Sequence, residues 1–145
     1  MSHHTVFALM TATLAMATTG CGTALVSADP PMLDEAFALE PGESARIEGT
    51  GLILTFREVR DDSRCPTDVT CVWEGDAVVV LRTVLEGSVA EARLHTAGDR
   101  DRDGARHVDV GPYRIHLLEL EPAPVSEEPI PASAYRATLR VTGGA

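Results

Sequence analysis

Apolar and polar residues alternate along this chain in short stretches, and that period of two constrains the fold more than any other feature. Leu52, Leu54 and Phe56 share one parity. Ala90, Ala92 and Leu94 oppose Glu91, Arg93 and His95; Tyr113, Ile115 and Leu117 oppose Arg114 and His116; Tyr135, Ala137, Leu139 and Val141 oppose Arg136, Thr138 and Arg140. A strand sends successive side chains to opposite faces, so each stretch buries one side and wets the other. No window sustains a helical period. Gly49-Thr50-Gly51, Glu86-Gly87-Ser88 and Gly111-Pro112 punctuate the stretches as turns. Ala77 to Leu85 is apolar on both parities except at Arg82 and Thr83, which predicts a central strand covered on both faces. Pro122 to Pro131 holds four prolines and reads as an irregular surface connection. The pattern predicts an all-β domain, an antiparallel β-sandwich or barrel of about seven or eight short strands.

The first 20 residues stand apart from this texture. They contain no Asp, Glu, Lys or Arg, and the apolar run from Val6 to Ala17 has the length of a signal-peptide core, too short to span a bilayer comfortably. The run ends at Thr18-Thr19-Gly20-Cys21, which resembles the lipobox of bacterial lipoproteins, with Thr18 where leucine is usual. The resemblance implies lipidation of Cys21 as the new N-terminus. Ordinary secretion with cleavage near Ala24 or Ala28 is the alternative. Cysteine arithmetic favours the lipoprotein: three cysteines in an exported chain leave one thiol over, and lipidation of Cys21 leaves Cys65 and Cys71 to pair where disulfides persist. The expected organisation is a signal over 1–20, a tether over 21–34 with Pro30-Pro31, and one β-domain over 35–145.

Cys65 and Cys71 frame the segment richest in costly residues, Asp62-Ser63-Arg64-Cys65-Pro66 through Cys71-Val72-Trp73-Glu74-Gly75, which includes the only tryptophan. A disulfide closing so small a loop constrains the unfolded chain by roughly 2 kcal/mol. Such a loop presents side chains with little entropy left to lose, which makes Asp62, Arg64 and Trp73, with Asp61, the candidate binding residues. The competing structural reading has Asp62 capping the turn, Arg64 paired with a nearby acid, and Trp73 anchored over one end of the core. Five intervening residues in a strand-rich context do not suit a reactive dithiol, which is usually Cys-x-x-Cys at a helix start. The order Asp-Ser-Arg-Cys-Pro, then Cys-Val-Trp-Glu-Gly, resembles a segment of small uncharacterised bacterial lipoproteins, closely over 61–81 and loosely over 36–141. The resemblance implies an exported β-domain and carries no catalytic residue with it.

Net charge is −10 and every basic residue is arginine, a balance that argues against nucleic acid and against electrostatic binding to anionic lipid. Membrane attachment is therefore expected through acyl chains on Cys21. Two patterns hint at metal. Asp99-Arg100-Asp101-Arg102-Asp103-Gly104 begins like a calcium loop but has Val110 where the bidentate glutamate belongs. A two-residue turn at Gly111-Pro112 would set His107 opposite His116, and His95 lies on the polar parity of its own strand, so three imidazoles could meet at zinc or copper. A solvated turn and exposed histidines on a polar face are the better readings of the two, so neither a metal site nor a cofactor is assigned. No nucleophile elbow, phosphate loop or His-Glu-x-x-His pair occurs. These features suggest a non-catalytic binding or structural module of the cell envelope, with an envelope protein or small molecule as partner. A metal-dependent exported protein and a small exported enzyme inhibitor are the alternatives.

Overall fold

The computed structural model describes residues 29–98, 105–126 and 128–144. The signal segment, Cys21 and the aspartate-rich run Asp99–Gly104 lie outside them. Eight strands form: β1 Ala36–Leu39, β2 Ser44–Arg46, β3 Ile53–Arg60, β4 Val78–Leu85, β5 Ser88–His95, β6 His107–Val110, β7 Tyr113–Glu121 and β8 Arg136–Gly143. They make two four-stranded antiparallel sheets, β1-β8-β7-β6 and β2-β3-β4-β5, so the fold is the expected all-β sandwich. The first strand of the chain lies beside the last, with Ala36 opposite Arg140 and Leu39 opposite Ala137.

The inward parity of each strand is the one the alternation marks. Leu54 and Phe56 of β3, Val79 and Leu81 of β4, Leu94 of β5, Ile115 and Leu117 of β7, and Ala137, Leu139 and Val141 of β8 are buried in one core. Removing these side chains from water is the main driving force, about 1.5–3 kcal/mol for each large one. Thr83 is the one buried polar residue among those described, and its hydroxyl donates to the carbonyl of Ala90. β4 is interior to its sheet but is not roofed on its outer face. Val80 alone is fully buried there, in register between Glu58 and Arg93, while Val78 and Val84 are half-buried. Its apolar outer parity is thus covered by neighbouring strands rather than by a second layer.

Turn chemistry fixes the registers. Glu86 and Gly87 both take positive φ, at 49° and 84°, and join Leu85 to its partner Ser88 as a type I′ pair would. Gly111 has φ 58° and joins Val110 to Tyr113 with Pro112, whose fixed negative φ suits the second place of a II′ turn. Gly-Pro is not a favoured hairpin sequence, yet here each residue has the backbone its position needs. His107 therefore faces His116 and Val108 faces Ile115, the register the turn predicted.

Strand directions divide the connections between two poles. The Ile47–Leu52, Glu86-Gly87 and Gly111-Pro112 turns share one pole, where the hydroxyl of Tyr113 donates to the carbonyl of Thr50. The described chain starts there too: the Glu48 amide donates to the Pro31 carbonyl and the Asp34 amide to that of Val141. Pro31 and Asp34, in the stretch expected to be tether, are thus hydrogen-bonded to the domain. The longer connections, β3 to β4, β5 to β6 and β7 to β8, all lie at the opposite pole.

Candidate functional site

The β3–β4 connection, residues 61–77, begins as a continuation of its two strands. The amide of Ser63 donates to the carbonyl of Asp76 (2.7 Å), and that of Cys65 to the carbonyl of Glu74 (2.8 Å). Gly75 makes this pairing possible. A Cβ built at Gly75 would lie 1.8 Å from the Ser63 carbonyl oxygen, and its φ of 68° already disfavours any other residue. Beyond this neck, Cys65 and Cys71 are disulfide-bonded with their Cα atoms 5.9 Å apart, an ordinary separation for a bridge.

Asp62 and Arg64 brace the neck from within. Arg64 donates from Nε and Nη2 to the two Asp62 carboxylate oxygens (2.8 and 2.7 Å), from Nη1 to the Leu120 carbonyl (2.7 Å) and from Nη2 to the Pro122 carbonyl (2.9 Å). The Tyr135 hydroxyl donates to Asp62 Oδ2 at 2.9 Å. One charged pair thereby joins the loop to the end of β7 and the start of β8. Its side chains are only 13% (Arg64) and 12% (Asp62) exposed. Burial pushes the Asp62 carboxyl up, but hydrogen bonds from Arg64 and Tyr135 outweigh it and hold the group below its ordinary value. The same burial, with the Asp62 charge, pushes Tyr135 up to about 12. The pairing of Arg64 with a nearby acid, expected on the structural reading, forms with Asp62, and both charges are largely buried in it.

Trp73 departs from the structural reading, which had it anchored over one end of the core. It is 82% exposed and does not cover the core. The adjacent Val72 is 90% exposed and Val69, inside the disulfide loop, 47%. The reason is local: the neck pairing carries Glu74 back against Cys65 and leaves the preceding residues at the apex, beyond the reach of the two sheets. The β7–β8 connection packs beside this apex. Thr67 donates its amide to the Pro124 carbonyl, Asp68 accepts the Ser126 amide, and Val125 between them is also exposed. Seven large apolar residues are exposed among those described, and four of them, Val69, Val72, Trp73 and Val125, belong to these two connections.

The three histidines do not converge. His107 and His116 face each other across β6 and β7 with ring centroids 5.9 Å apart, and His116 shares a hydrogen bond with Thr142. Burial, with His107, Arg114 and Arg140 nearby, holds His116 below its ordinary value. His95 lies in the other sheet, where its Nδ1 is 2.5 Å from Asp76 Oδ2. Asp76 also accepts the Ala97 amide and the Thr96 hydroxyl. Burial raises the Asp76 carboxyl, and the Ala97 amide followed by His95 and Thr96 more than offset that, leaving it lowered. Among the described residues no group of three His, Cys, Asp or Glu side chains is placed to hold a metal ion. An open hollow of about 420 Å³ lies over the other end of the second sheet, lined by Arg57, Leu81, Arg82, Val89, Ala90 and Glu91, away from the loops.

Of the sequence-predicted residues, the structure places Asp62, Arg64, Trp73, Cys65 and Cys71 in one loop, but with opposite roles: the charges brace and the aromatic is presented. Sequence reasoning missed Val69, Val72 and Val125, whose signal was valine in a turn-rich context where no strand alternates. No known protein-family model, curated protein or solved structure matches this chain.

Proposed function

We propose that this protein is a lipid-anchored binding module of the bacterial cell envelope, non-catalytic, which contacts its partner through the pole that carries the disulfide loop. The observation that carries the reading is the placement of Val72 and Trp73, exposed between the disulfide-closed ring and a neck that is hydrogen-bonded and braced by Arg64. Exposing a Trp beside a Val costs solubility and gains nothing in the free domain, whereas a rigid apolar projection loses little entropy on docking. The lipobox-like Thr18-Thr19-Gly20-Cys21 supplies the anchor, and the chain joins the domain at the opposite pole.

The test is site-directed photo-cross-linking of the full-length protein in its own envelope, with the photoreactive group at position 72 or at position 89. Val89 is also exposed but is the second residue of β5, near the Glu86-Gly87 turn. A discrete adduct from position 72 that is absent from position 89 is expected. Failure to obtain one, or the same adducts from both, would remove the loop pole as the contact surface. Mass spectrometry of the mature N-terminus tests the anchor separately: acyl chains on Cys21 are expected, and an unmodified terminus near Ala24 or Ala28 would reassign the protein to simple secretion.

A further inference from the structure

Resting on that reading, we infer that the occupant of the loop pole is a partner protein whose docking surface is an apolar pocket for the Trp73 indole, rimmed by lysine and arginine. The charge balance around the apex carries this. Asp61, Asp68, Glu74, Glu121 and Glu128 belong to the connections at that pole or the strand ends beside them, and none is in an ion pair among the described residues. Every described arginine there is already engaged. Arg64 is spent on Asp62 and two carbonyls, Arg106 donates to the Leu118 carbonyl, Arg60 is paired with Glu58, and Arg136 lies beside Glu40. Among the described residues, the apex is thus an apolar tip beside carboxylates that outnumber the one arginine there not paired with an acid, Arg106.

That combination selects among occupants. An anionic bilayer surface would be repelled by the carboxylates, and the chain joins the domain at the pole farther from the tip. A glycan platform usually needs several aromatic faces, and the apex has one. A protein pocket fits both parts: an indole is the side chain most often found at the energetic centre of interfaces, and charges around it steer association and set specificity more than they add affinity. Glu74 is the rim residue of choice for a test, because it braces the loop only through its backbone carbonyl.

The experiment repeats the cross-linking from position 72 in chains that also carry Trp73→Ala, Glu74→Gln, Glu74→Lys or Glu74→Lys with Glu128→Lys. Trp73→Ala is expected to cut the adduct about thirtyfold, the fold-change of a hot-spot residue. The Glu74 series is expected to fall in steps, with the double reversal down about tenfold or more at low salt, and added salt is expected to lower the wild-type adduct and narrow its difference from the reversals. Sequencing the adduct is expected to give a protein segment flanked by Lys or Arg. Urea unfolding midpoints within error of wild type confirm that the variants are folded, and Glu74→Gln, which alters one exposed carboxyl only, serves if a reversal is not. An adduct that persists unchanged through the charge series would overturn the basic rim while leaving the loop as contact surface. An adduct to lipid or glycan would overturn the protein partner. Absence of any adduct from position 72 removes the underlying reading as well.

Discussion

At the scale of single residues, the charged pair in the cysteine loop and the tryptophan beside it exchange the roles that composition suggests. Charges normally seek water and indoles seek cover. Here the Arg64 guanidinium makes four hydrogen bonds, to two carboxylate oxygens and two carbonyls at the sandwich end, which compensates its desolvation, while Trp73 has no inward path from the apex. Arg64→Ala is expected to destabilise the domain by about 3 kcal/mol, because it leaves the Asp62 carboxylate buried without its cation. Tyr135→Phe removes one hydrogen bond to a charged acceptor and is expected to cost about 1.5–2 kcal/mol. Urea denaturation measures both; equal, negligible losses would show that the network contributes nothing net. The presence of an Asp-Arg couple was legible in the sequence. Its acceptors were not, since the carbonyls of Leu120 and Pro122 lie 56 and 58 positions away in the chain.

At the scale of elements, most of the sandwich was written in the alternation. β8 illustrates why: Tyr135, Ala137, Leu139 and Val141 are all buried, and the parity that buries them admits only one pairing face. β1 carried no such signal. Four residues, Ala36–Leu39, alternate too briefly to stand out, and pairing with β8 is what makes them a strand. The neck of the cysteine loop was also invisible, because the Ser63–Asp76 and Cys65–Glu74 pairs lie between residues with no alternating pattern and depend on the missing Cβ of Gly75. Cys65→Ser with Cys71→Ser is expected to lower stability by about 2 kcal/mol while leaving the neck and both sheets formed. Hydrogen exchange checks this: protection should fall at residues 65–73 and stay at Val79 to Leu81. Loss of protection in β3 and β4 would mean that the bridge, not the core, organises that end.

At the scale of the whole molecule, the acid side of the stability curve is set by carboxylates in braces. Asp62 and Asp76 are both held below the ordinary aspartate value. A group with a depressed folded pKa contributes fully above its unfolded value and loses that contribution as pH falls through the folded one. The domain is therefore expected to be steady down to about pH 4 with respect to these groups and to weaken progressively below it. His116, held below 6.5, adds a shallower loss that begins under that pH, because the unfolded chain takes up its proton first. Thermal unfolding from pH 7 to 3 measures both; Asp62→Asn should flatten the acid limb, and an unchanged limb would move its origin elsewhere. The separation of the poles has a further meaning for reach. Strands of eight or nine residues give the body a length of roughly 27–30 Å. The ten peptide links from Cys21 to Pro31 can extend at most about 35 Å. On the proposed anchor at Cys21, Trp73 could be carried about 60 Å above the membrane, a reach that suits a contact across the envelope better than one with the bilayer itself.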